Sequence, residues 1–287
     1  MSEAIRVLVA IDGSKSSEGT LQAVSAQFHP PEIAVRVLNV VQPLSVAVPP
    51  QIDAGFAPEL EAQRNDAREL VDRAAKSLAA AGFQAATEVR EGDVREKILE
   101  SAKDWRADLI LVGSHGHKGL PHLLLGSVAE AVARHARCSV EVVRTPPSFA
   151  KVLLAVDDSK FSESAVQALM RQLRPGQAAI SILHVVDLRL PIPTSDAGGF
   201  RQESLNRGRE LVDRVKRQLA GAGIKAEAVI EEADPRSGIV DYAKKWGANL
   251  ILTGSHGRKG IDHFLMGSVA EYVIRHAPCS VQIVRLA

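Results

Sequence analysis

The sequence carries no excess of charge of either sign. Its 35 Lys and Arg residues balance 34 Asp and Glu residues, and the formal net charge is +1. Non-specific binding to nucleic acid or to an anionic membrane surface depends on a basic patch or stripe. We therefore expect neither nucleic acid nor membrane among the partners.

Cysteines, long apolar runs and a leader segment are also scarce or missing. Two cysteines in 287 residues exclude a disulfide framework. No apolar run approaches the roughly 20 residues that span a bilayer. The opening MSEAIRVLVAIDGS enters a strand pattern without the charged region and cleavage site of a signal peptide. These absences predict a soluble protein of the reducing cytoplasm.

Two motifs of nucleotide chemistry are absent as well. The chain has no G-x4-G-K-[ST] segment, which argues against classical P-loop hydrolysis. It has no His-x-Gly-His phosphate motif of adenylyl-transferring enzymes either. A length of 287 residues favours two domains of about 140 residues, each large enough to bury a core.

What the sequence does contain is an internal repeat. GSHGHKGLPHLLLGSVAEAVARHARCSVEVVR starts at Gly113, and GSHGRKGIDHFLMGSVAEYVIRHAPCSVQIVR starts at Gly254. Roughly two positions in three are identical. The segments around Asp12 and Asp157 match in the same way. They are 145 residues apart, whereas the later matching segments are 141 residues apart. The four extra residues of the first copy fall in VQPLSVAVPPQIDAGFAP, whose composition predicts a loop.

Short β-branched runs alternate with longer amphipathic segments in each copy, a pattern typical of βαβ units and a parallel sheet. The predicted strands of the first copy are Ile5 to Ile11, Ile33 to Val41, Ala85 to Arg90, Leu109 to Val112 and Ser139 to Val143. The predicted helices begin near Ser16, Pro58, Asp93 and Ser127. The pattern thus predicts domains over 1–145 and 150–287, joined by a stiff linker at 145–148.

An aspartate ends the first predicted strand of each copy. Ligands of open α/β sheets bind beyond the carboxyl ends of the strands, where the carboxylate of Asp12 or Asp157 could accept hydrogen bonds from a ribose. The alternative is that Asp-Gly-Ser and Asp-Asp-Ser form a turn and cap the following helix. The residues alone leave both interpretations open.

A glycine pattern follows the fourth predicted strand: Gly113-x2-Gly116-x9-Gly126-Ser127, repeated as Gly254-x2-Gly257-x9-Gly267-Ser268. Glycine allows close backbone approach to a ligand, and the helix that begins at the last glycine offers free amides to a phosphate. The alternative is a capping box, Ser127-x-x-Glu130 and Ser268-x-x-Glu271, that starts a helix with no ligand. Two copies with one spacing favour nucleotide binding.

The aspartate-ended strand together with G-x2-G-x9-G-[ST] resembles the universal stress protein family, over nearly the whole chain and in both copies. The resemblance implies an adenine-nucleotide alpha-hydrolase-like α/β fold, with two tandem open parallel five-stranded sheets of order 3-2-1-4-5 flanked by helices. It implies ATP as the ligand, with AMP and ADP as alternatives, and leaves Mg²⁺ open. It also implies that the two domains pair through their last strands and that two chains associate as a homodimer.

Carried over residue by residue, the resemblance implies one site in each copy. The first-copy residues are Asp12, Val40, Gly113, Ser114, His115, Gly116, Gly126, Ser127 and Val128. The second-copy residues are Asp157, Val185, Gly254, Ser255, His256, Gly257, Gly267, Ser268 and Val269. The aspartates would meet the ribose or adenine, the valines of the second strand would flank the base, and the glycine segment would wrap the phosphates.

Three positions of the second copy depart from the first near the implied site. Asp158 stands where the first copy has Gly13, Ala233 where it has Gly92, and Thr253 where it has Val112. An added carboxylate disfavours a polyphosphate. We therefore expect the two sites to bind with unequal affinity.

Other notable residues have structural interpretations beside functional ones. Lys118 and Lys259 would contact phosphate or simply be solvated. Ser114 and His115 are not expected to form a nucleophilic pair, because adjacent side chains in an extended loop point apart, and no metal site is expected. His135 and His276 suit helix C-termini. Cys138 and Cys279 are expected to be buried thiols rather than a disulfide, and Trp105 and Trp246 core or interface anchors.

The sequence thus predicts an adenine-nucleotide-binding stress-response regulator and not an enzyme, with slow hydrolysis as a side activity. Two alternatives stay open. An ATPase would turn over ATP at enzymatic rates, and a scaffold that has lost its ligand would bind only protein partners.

Overall fold

The structure of the protein is a computed structural model that describes residues 4–42, 53–116, 125–144, 148–187, 197–257 and 266–286. The strands are β1 Ile5–Ala10, β2 Ile33–Val41, β3 Ala85–Glu91, β4 Leu109–Gly113, β5 Ser139–Val143, β6 Lys151–Ala155, β7 Ala179–Val186, β8 Ala226–Glu232, β9 Leu250–Gly254 and β10 Ser280–Val284. The helices are α1 Lys15–Gln27, α2 Asp53–Ala80, α3 Val94–Asp104, α4 Ser127–His135, α5 Lys160–Gln172, α6 Ala197–Gly221, α7 Pro235–Trp246 and α8 Ser268–His276. The predicted linker at 145–147 lies outside the described residues.

Each half of the chain builds a parallel sheet in the predicted order, β3-β2-β1-β4-β5 and its repeat β8-β7-β6-β9-β10. The central strands are buried on both faces, as their apolar runs predict: β4 and β9 consist almost entirely of buried residues. The outer strands β3 and β8 are largely half-exposed, because each has a neighbour on one side only.

The prediction of two tandem five-stranded sheets is wrong, because the two halves form one ten-stranded sheet. The implied pairing of the two domains through their last strands is confirmed. The last strand of each half, β5 and β10, pairs antiparallel, with Val281 opposite Val142 and Ile283 opposite Val140. All four side chains are at most 1% exposed. An unpaired edge strand leaves its N–H and C=O groups without partners, and this pairing removes both edges at once.

One predicted helix start is also wrong. The second helix begins at Asp53, five residues before the predicted start at Pro58, so part of the predicted loop is helical. Pro58 therefore lies inside the helix and does not mark its start. The other starts agree with prediction to within one residue: α1 begins at Lys15, α3 at Val94 after the N-cap Asp93, and α4 at Ser127.

Two arginines form hydrogen bonds between the halves on either side of the β5–β10 pair. Arg144, which follows β5, donates through Nη2 to the Ile274 carbonyl near the end of α8 at 2.9 Å. Arg285, which follows β10, donates in the same way to the Ala133 carbonyl near the end of α4 at 2.8 Å. Each half thus supplies a cation to the carbonyl end of the other half's last helix, where the helix dipole favours it.

A ring of four charges lies on the same face of the junction. Arg134 of α4 reaches Glu271 of α8 at 2.6 Å, and Arg275 of α8 reaches Glu130 of α4 at 2.6 Å. The side chains are about one-third exposed. Such partly exposed pairs contribute orientation more than stability.

The tryptophans, histidines and cysteines take the expected structural positions. Trp105 and Trp246 pack at the core margin at the ends of α3 and α7. His135 and His276 are the last residues of α4 and α8. Cys279 is buried as expected, whereas Cys138 is only partly buried. Both are free thiols, and desolvation raises the pKa of each to about 12, so both stay protonated.

Candidate functional site

A crevice of about 410 Å³ opens beyond the carboxyl ends of β1 and β4 in the first half. Volumes of this order accommodate small-molecule ligands. The structure brings every predicted residue of the first copy to its wall: Asp12, Val40, Gly113, Ser114, His115, Gly116, Gly126, Ser127 and Val128.

The repeat produces a second crevice of about 480 Å³ beyond β6 and β9. Eight of the nine predicted residues line it: Asp157, Val185, Gly254, His256, Gly257, Gly267, Ser268 and Val269. The ninth, Ser255, lies behind the wall with 1% of its surface exposed. The two crevices are therefore built from equivalent parts.

Asp12 forms the turn that the alternative interpretation required, and it also lines the crevice. Its Oδ1 accepts a hydrogen bond from the Ser14 backbone N–H at 2.9 Å, and Asp157 accepts from Ser159 N–H at 3.2 Å. The helix cap itself is Ser14, whose hydroxyl accepts from the Ser17 N–H. The turn thus holds the carboxylate in place at the crevice.

The motif glycines are required first by contacts inside the protein. A Cβ on Gly116 would lie 2.7 Å from Asp12 Oδ2, and one on Gly257 would lie 2.8 Å from Asp157 Oδ2. A Cβ on Gly254 would lie 2.8 Å from the Phe161 backbone carbon. At distances this short the neighbouring atoms would have to shift, so glycine lets the loop lie directly against the aspartate and the following helix.

The capping-box prediction is wrong at both helices. The N-caps of α4 and α8 are Gly126 and Gly267, and neither helix has a side-chain cap hydrogen bond. Both glycine N–H groups donate instead to the loop, Gly126 to the Ser114 carbonyl at 2.9 Å. Since no serine oxygen satisfies the first turn, its amides remain available as donors at the crevice.

The expectation that Ser114 and His115 point apart is also wrong. Ser114 Oγ lies 3.1 Å from His115 Nδ1, and Ser255 Oγ lies 3.1 Å from His256 Nδ1. The loop is curved enough for adjacent side chains to meet. The serines are at most 5% exposed, so the pair stabilises the loop rather than presenting a nucleophile.

The second crevice is the more polar of the two. His184 lines it and is 8% exposed, whereas the equivalent Asn39 does not line the first crevice. Asp187 adds a second carboxylate beside Asp157, where the first half has Gln42. The second half thus lines its crevice with two aspartates, and the first half with one.

Two of the noted departures do not reach the crevice. The Asp158 carboxylate accepts a hydrogen bond from Arg214 of α6 at 2.7 Å. Ala233 packs by Gly238, whose added Cβ would lie 3.0 Å from the Ala233 Cβ. Neither Asp158 nor Ala233 is among the lining residues, whereas Thr253 is.

Several lining residues were missed from the sequence. They are apolar and occupy equivalent positions in both halves, and the pairs are Ala10 and Ala155, Leu38 and Leu183, Ile98 and Ile239, and Ala129 and Ala270. Their agreement at the repeat offset was a usable signal, but a buried apolar residue reads as core until the fold shows an open face.

Other functional candidates are limited. Lys118 and Lys259 lie outside the described residues. Among the residues that the structure describes, no group of three His, Cys, Asp or Glu side chains is placed to hold a metal ion. Within the same ranges, none of the helices combines the length and apolarity that crossing a bilayer requires.

Comparisons with known proteins agree with the duplicated architecture. The model of the Universal stress protein family matches residues 5–144 and again 148–285. A universal stress protein of Mycolicibacterium smegmatis is 29% identical over 97% of this chain and 96% of its own length. A Bacillus subtilis universal stress protein is 32% identical over 48% of this chain and 99% of its own length.

A solved structure shows the same overall arrangement. The universal stress protein of Archaeoglobus fulgidus is similar with a TM-score of 0.69 and 21% identity, over 98% of both chains. At that identity the likeness concerns the fold.

Proposed function

The chain belongs to the universal stress protein family, and from this premise and the geometry of its crevices we propose that it binds ATP, or the related AMP or ADP. We propose further that it acts as a stress-response regulator and not as an enzyme. The observation that carries the proposal is the pairing, in both halves, of a fixed carboxylate with an uncapped helix N-terminus across an apolar-walled crevice.

The first crevice suits each part of an adenine nucleotide. Val40 and Val128 provide apolar surface for the base, and the Asp12 carboxylate is an acceptor for ribose hydroxyls. The amides at the start of α4 and the helix dipole favour the phosphates. Asp187 in the second crevice leads us to propose tighter binding in the first half.

The regulatory role follows from what binding would change. A nucleotide would join β1, the glycine loop and the start of α4, so the bound form would have a more ordered surface at that edge of the sheet. A partner that recognises the ordered surface would be favoured by occupancy. Homodimer formation and residence in the cytoplasm belong to the same proposal.

The test is calorimetric titration of ATP into matched variants, Ser127→Glu and Ser268→Glu. Both serines are exposed first residues of their helices, where a carboxylate favours the helix dipole but repels phosphate. We expect Ser127→Glu to weaken the tighter site at least tenfold and Ser268→Glu to affect only the weaker one. The isosteric, neutral Ser127→Gln is the control for size.

Two results would count against the proposal. Unchanged ATP affinity in the Ser127→Glu, Ser268→Glu double variant would remove the site assignment. Phosphate release at about 1 per second or faster, in the range typical of enzymes, would replace the regulator with an ATPase.

A further inference from the structure

A larger cavity of about 640 Å³ lies away from both crevices, at the junction of the two halves. We call it the junction groove. Its walls come from the ends of α3 and α4 in the first half, and from α5 and the end of β10 in the second half. Nothing in the proposed nucleotide function uses it, and its volume suits a small molecule.

The junction groove has apolar walls and a basic lining. Leu99, Val284 and Leu286 supply apolar surface. Five cationic residues face three carboxylates around it: the cations are Lys103, Arg106, Arg137, Arg171 and Arg285, and the carboxylates are Glu100, Asp108 and Glu163.

The carboxylates of the groove already have donors. Asp108 accepts from the Arg6 N–H at 2.8 Å, Glu163 from Gln167 Nε2 at 2.9 Å, and Glu100 from Lys97 Nζ at 2.7 Å. By contrast, the side chains of Arg106 and Arg171 form no hydrogen bond or ion pair within the described part of the chain. With five cationic and three anionic side chains in its lining, the groove carries an excess of positive charge.

Arg106 is held in an unusual backbone conformation. Its φ is +53°, and it is the one non-glycine residue with positive φ among those described. The equivalent residue of the second half is Gly247, at φ +73°. Glycine is the residue suited to this conformation, so an arginine here is explained by its side chain and not by the turn.

The internal repeat provides a comparison for the whole groove. At the positions equivalent to Arg106, Arg137 and Arg171, the other side of the junction has Gly247, Pro278 and Ala26. Lys103 and Arg285 correspond to Lys244 and Arg144, and Glu100 and Glu163 correspond to Asp241 and Glu18. Asp108 corresponds to the neutral Asn249. Three arginines are thus present on one side of the junction and absent from the equivalent positions on the other side. Neither packing nor solubility requires this difference.

We propose that the junction groove binds a small amphipathic anion, a carboxylate or phosphate monoester on an apolar body, with Arg106 and Arg171 as its charge partners. The apolar walls take the body of the ligand. Arginine suits planar or tetrahedral oxyanions because it offers several donors in a fixed geometry. Because the groove joins the two halves, the bound ligand contacts both.

The experiment is calorimetric titration of octanoate and of octyl phosphate into the full chain, with octylamine as the probe of opposite charge. The central variant is Arg106→Gly/Arg171→Ala, which carries the residues that the repeat has at these positions and is therefore expected to fold. We expect both anions to bind the wild type and the double variant to bind at least tenfold more weakly. The comparison of the two anions identifies the preferred head group.

Two further variants keep the outcome specific. Arg217→Ala removes a cation of α6 that is likewise exposed, and it should leave binding unchanged. Arg171→Glu reverses a single exposed charge and should weaken anion binding more than Arg171→Ala does. In a Trp246→Phe background, Trp105 is the remaining tryptophan of the chain and reports binding beside Arg106 by fluorescence.

Equal affinity of the wild type and the double variant would overturn the proposal. So would failure of both anions to bind, or binding of octylamine as tight as that of octanoate. None of these outcomes bears on the crevices at the carboxyl ends of β1 and β6, so the nucleotide proposal stands or falls separately.

Discussion

In the two halves, equivalent backbone carbonyls are hydrogen-bonded by different side chains. In the first half Asn39 Nδ2 donates to the Ile11 carbonyl at 2.7 Å, and in the second half His184 Nδ1 lies 2.8 Å from the equivalent Val156 carbonyl. Since a carbonyl only accepts, Nδ1 of His184 carries the proton. The larger imidazole is accommodated because α6 has Gly208 beside it, where a Cβ would lie 2.9 Å from His184 Cδ2.

This comparison shows how a duplicated fold diverges. The first half has Ala67 at the position of Gly208, next to the smaller Asn39. A side chain that grows in one half is matched by a neighbour that shrinks, because packed interiors have no spare volume. The exchange leaves the fold unchanged but adds an imidazole, His184, to the second crevice beside His256, whereas the first crevice has His115 alone.

We expect the largest difference in stability between equivalent substitutions in the two halves at Gly254, the glycine that ends β9. A Cβ on Gly254 would lie within 2.9 Å of three atoms of Phe161, two of them backbone. One on Gly113 would lie 2.7 Å from the movable Ser16 hydroxyl and 3.0 Å from the Ser16 backbone carbon. Gly254→Ala should lower the free energy of unfolding by about 3 kcal/mol and Gly113→Ala by less. Urea denaturation of both variants measures the difference.

Gly198→Ala is the control for this pair, since nothing lies within 4 Å of a Cβ there. Alanine in place of an exposed helical glycine should stabilise α6 by about 0.5 to 1 kcal/mol. Equal losses at Gly113 and Gly254 would mean that the two loops pack alike.

The second effect concerns the junction, where Glu141 of β5 faces Gln282 of β10. Glu141 is fully buried and accepts from Gln27 Nε2 at 2.6 Å. Burial raises the pKa of this carboxyl to about 7, despite the hydrogen bond from Gln27, which lowers it. The folded protein therefore retains a proton on Glu141 that the unfolded chain releases above about pH 4.5.

The sign of the pH dependence follows directly. The contribution of protonated Glu141 to the free energy of unfolding is fully present below about pH 4.5. It is lost as the pH rises through about 7. Glu141→Gln, which copies Gln282, should remove this dependence and stabilise the protein by about 2 kcal/mol at pH 8. Denaturation at pH 5, 6, 7 and 8 tests it, and a constant difference between wild type and variant would show that Glu141 does not titrate there.

The smallest effect concerns the packing behind the second crevice. A Cβ on Gly238 would lie 3.0 Å from the Ala233 Cβ and 3.2 Å from Val185 Cγ1. Gly238→Ala should cost about 1 kcal/mol, and adding Ala233→Gly should recover part of it, with a coupling of about 0.5 kcal/mol or more. A double-mutant cycle by thermal denaturation measures this coupling, and strict additivity would show that the two positions do not interact.

Much of the fold was predictable because its signals are local. The apolar runs identified the strands to within about one residue, as at β2 and β5, and the repeat supplied the second half from the first. The start of α2 was misplaced because Pro58 reads as a helix start, while in the structure it lies inside a helix that begins at Asp53.

The residues predicted for the candidate site meet at the two crevices, but several of the reasons given for them differ from those in the structure. The crevices contain the predicted residues except Ser255. The glycines, however, are required by contacts with Asp12 and Phe161, and Ser127 does not cap its helix. The glycine contacts depend on distances between segments more than 90 residues apart, which no local pattern reports.

The sequence by itself determined the duplication, the strand and helix pattern of each half, and the aspartate and glycine segments that face the crevices. Only the tertiary structure decided that the last strands pair antiparallel and merge the halves into one sheet, that Arg144 and Arg285 each donate to the last helix of the other half, and that a basic groove forms at the junction. The physical reason is that hydrophobic periodicity and turn chemistry act over a few residues, whereas edge pairing, burial of charge and cavity shape arise between segments that meet only after folding.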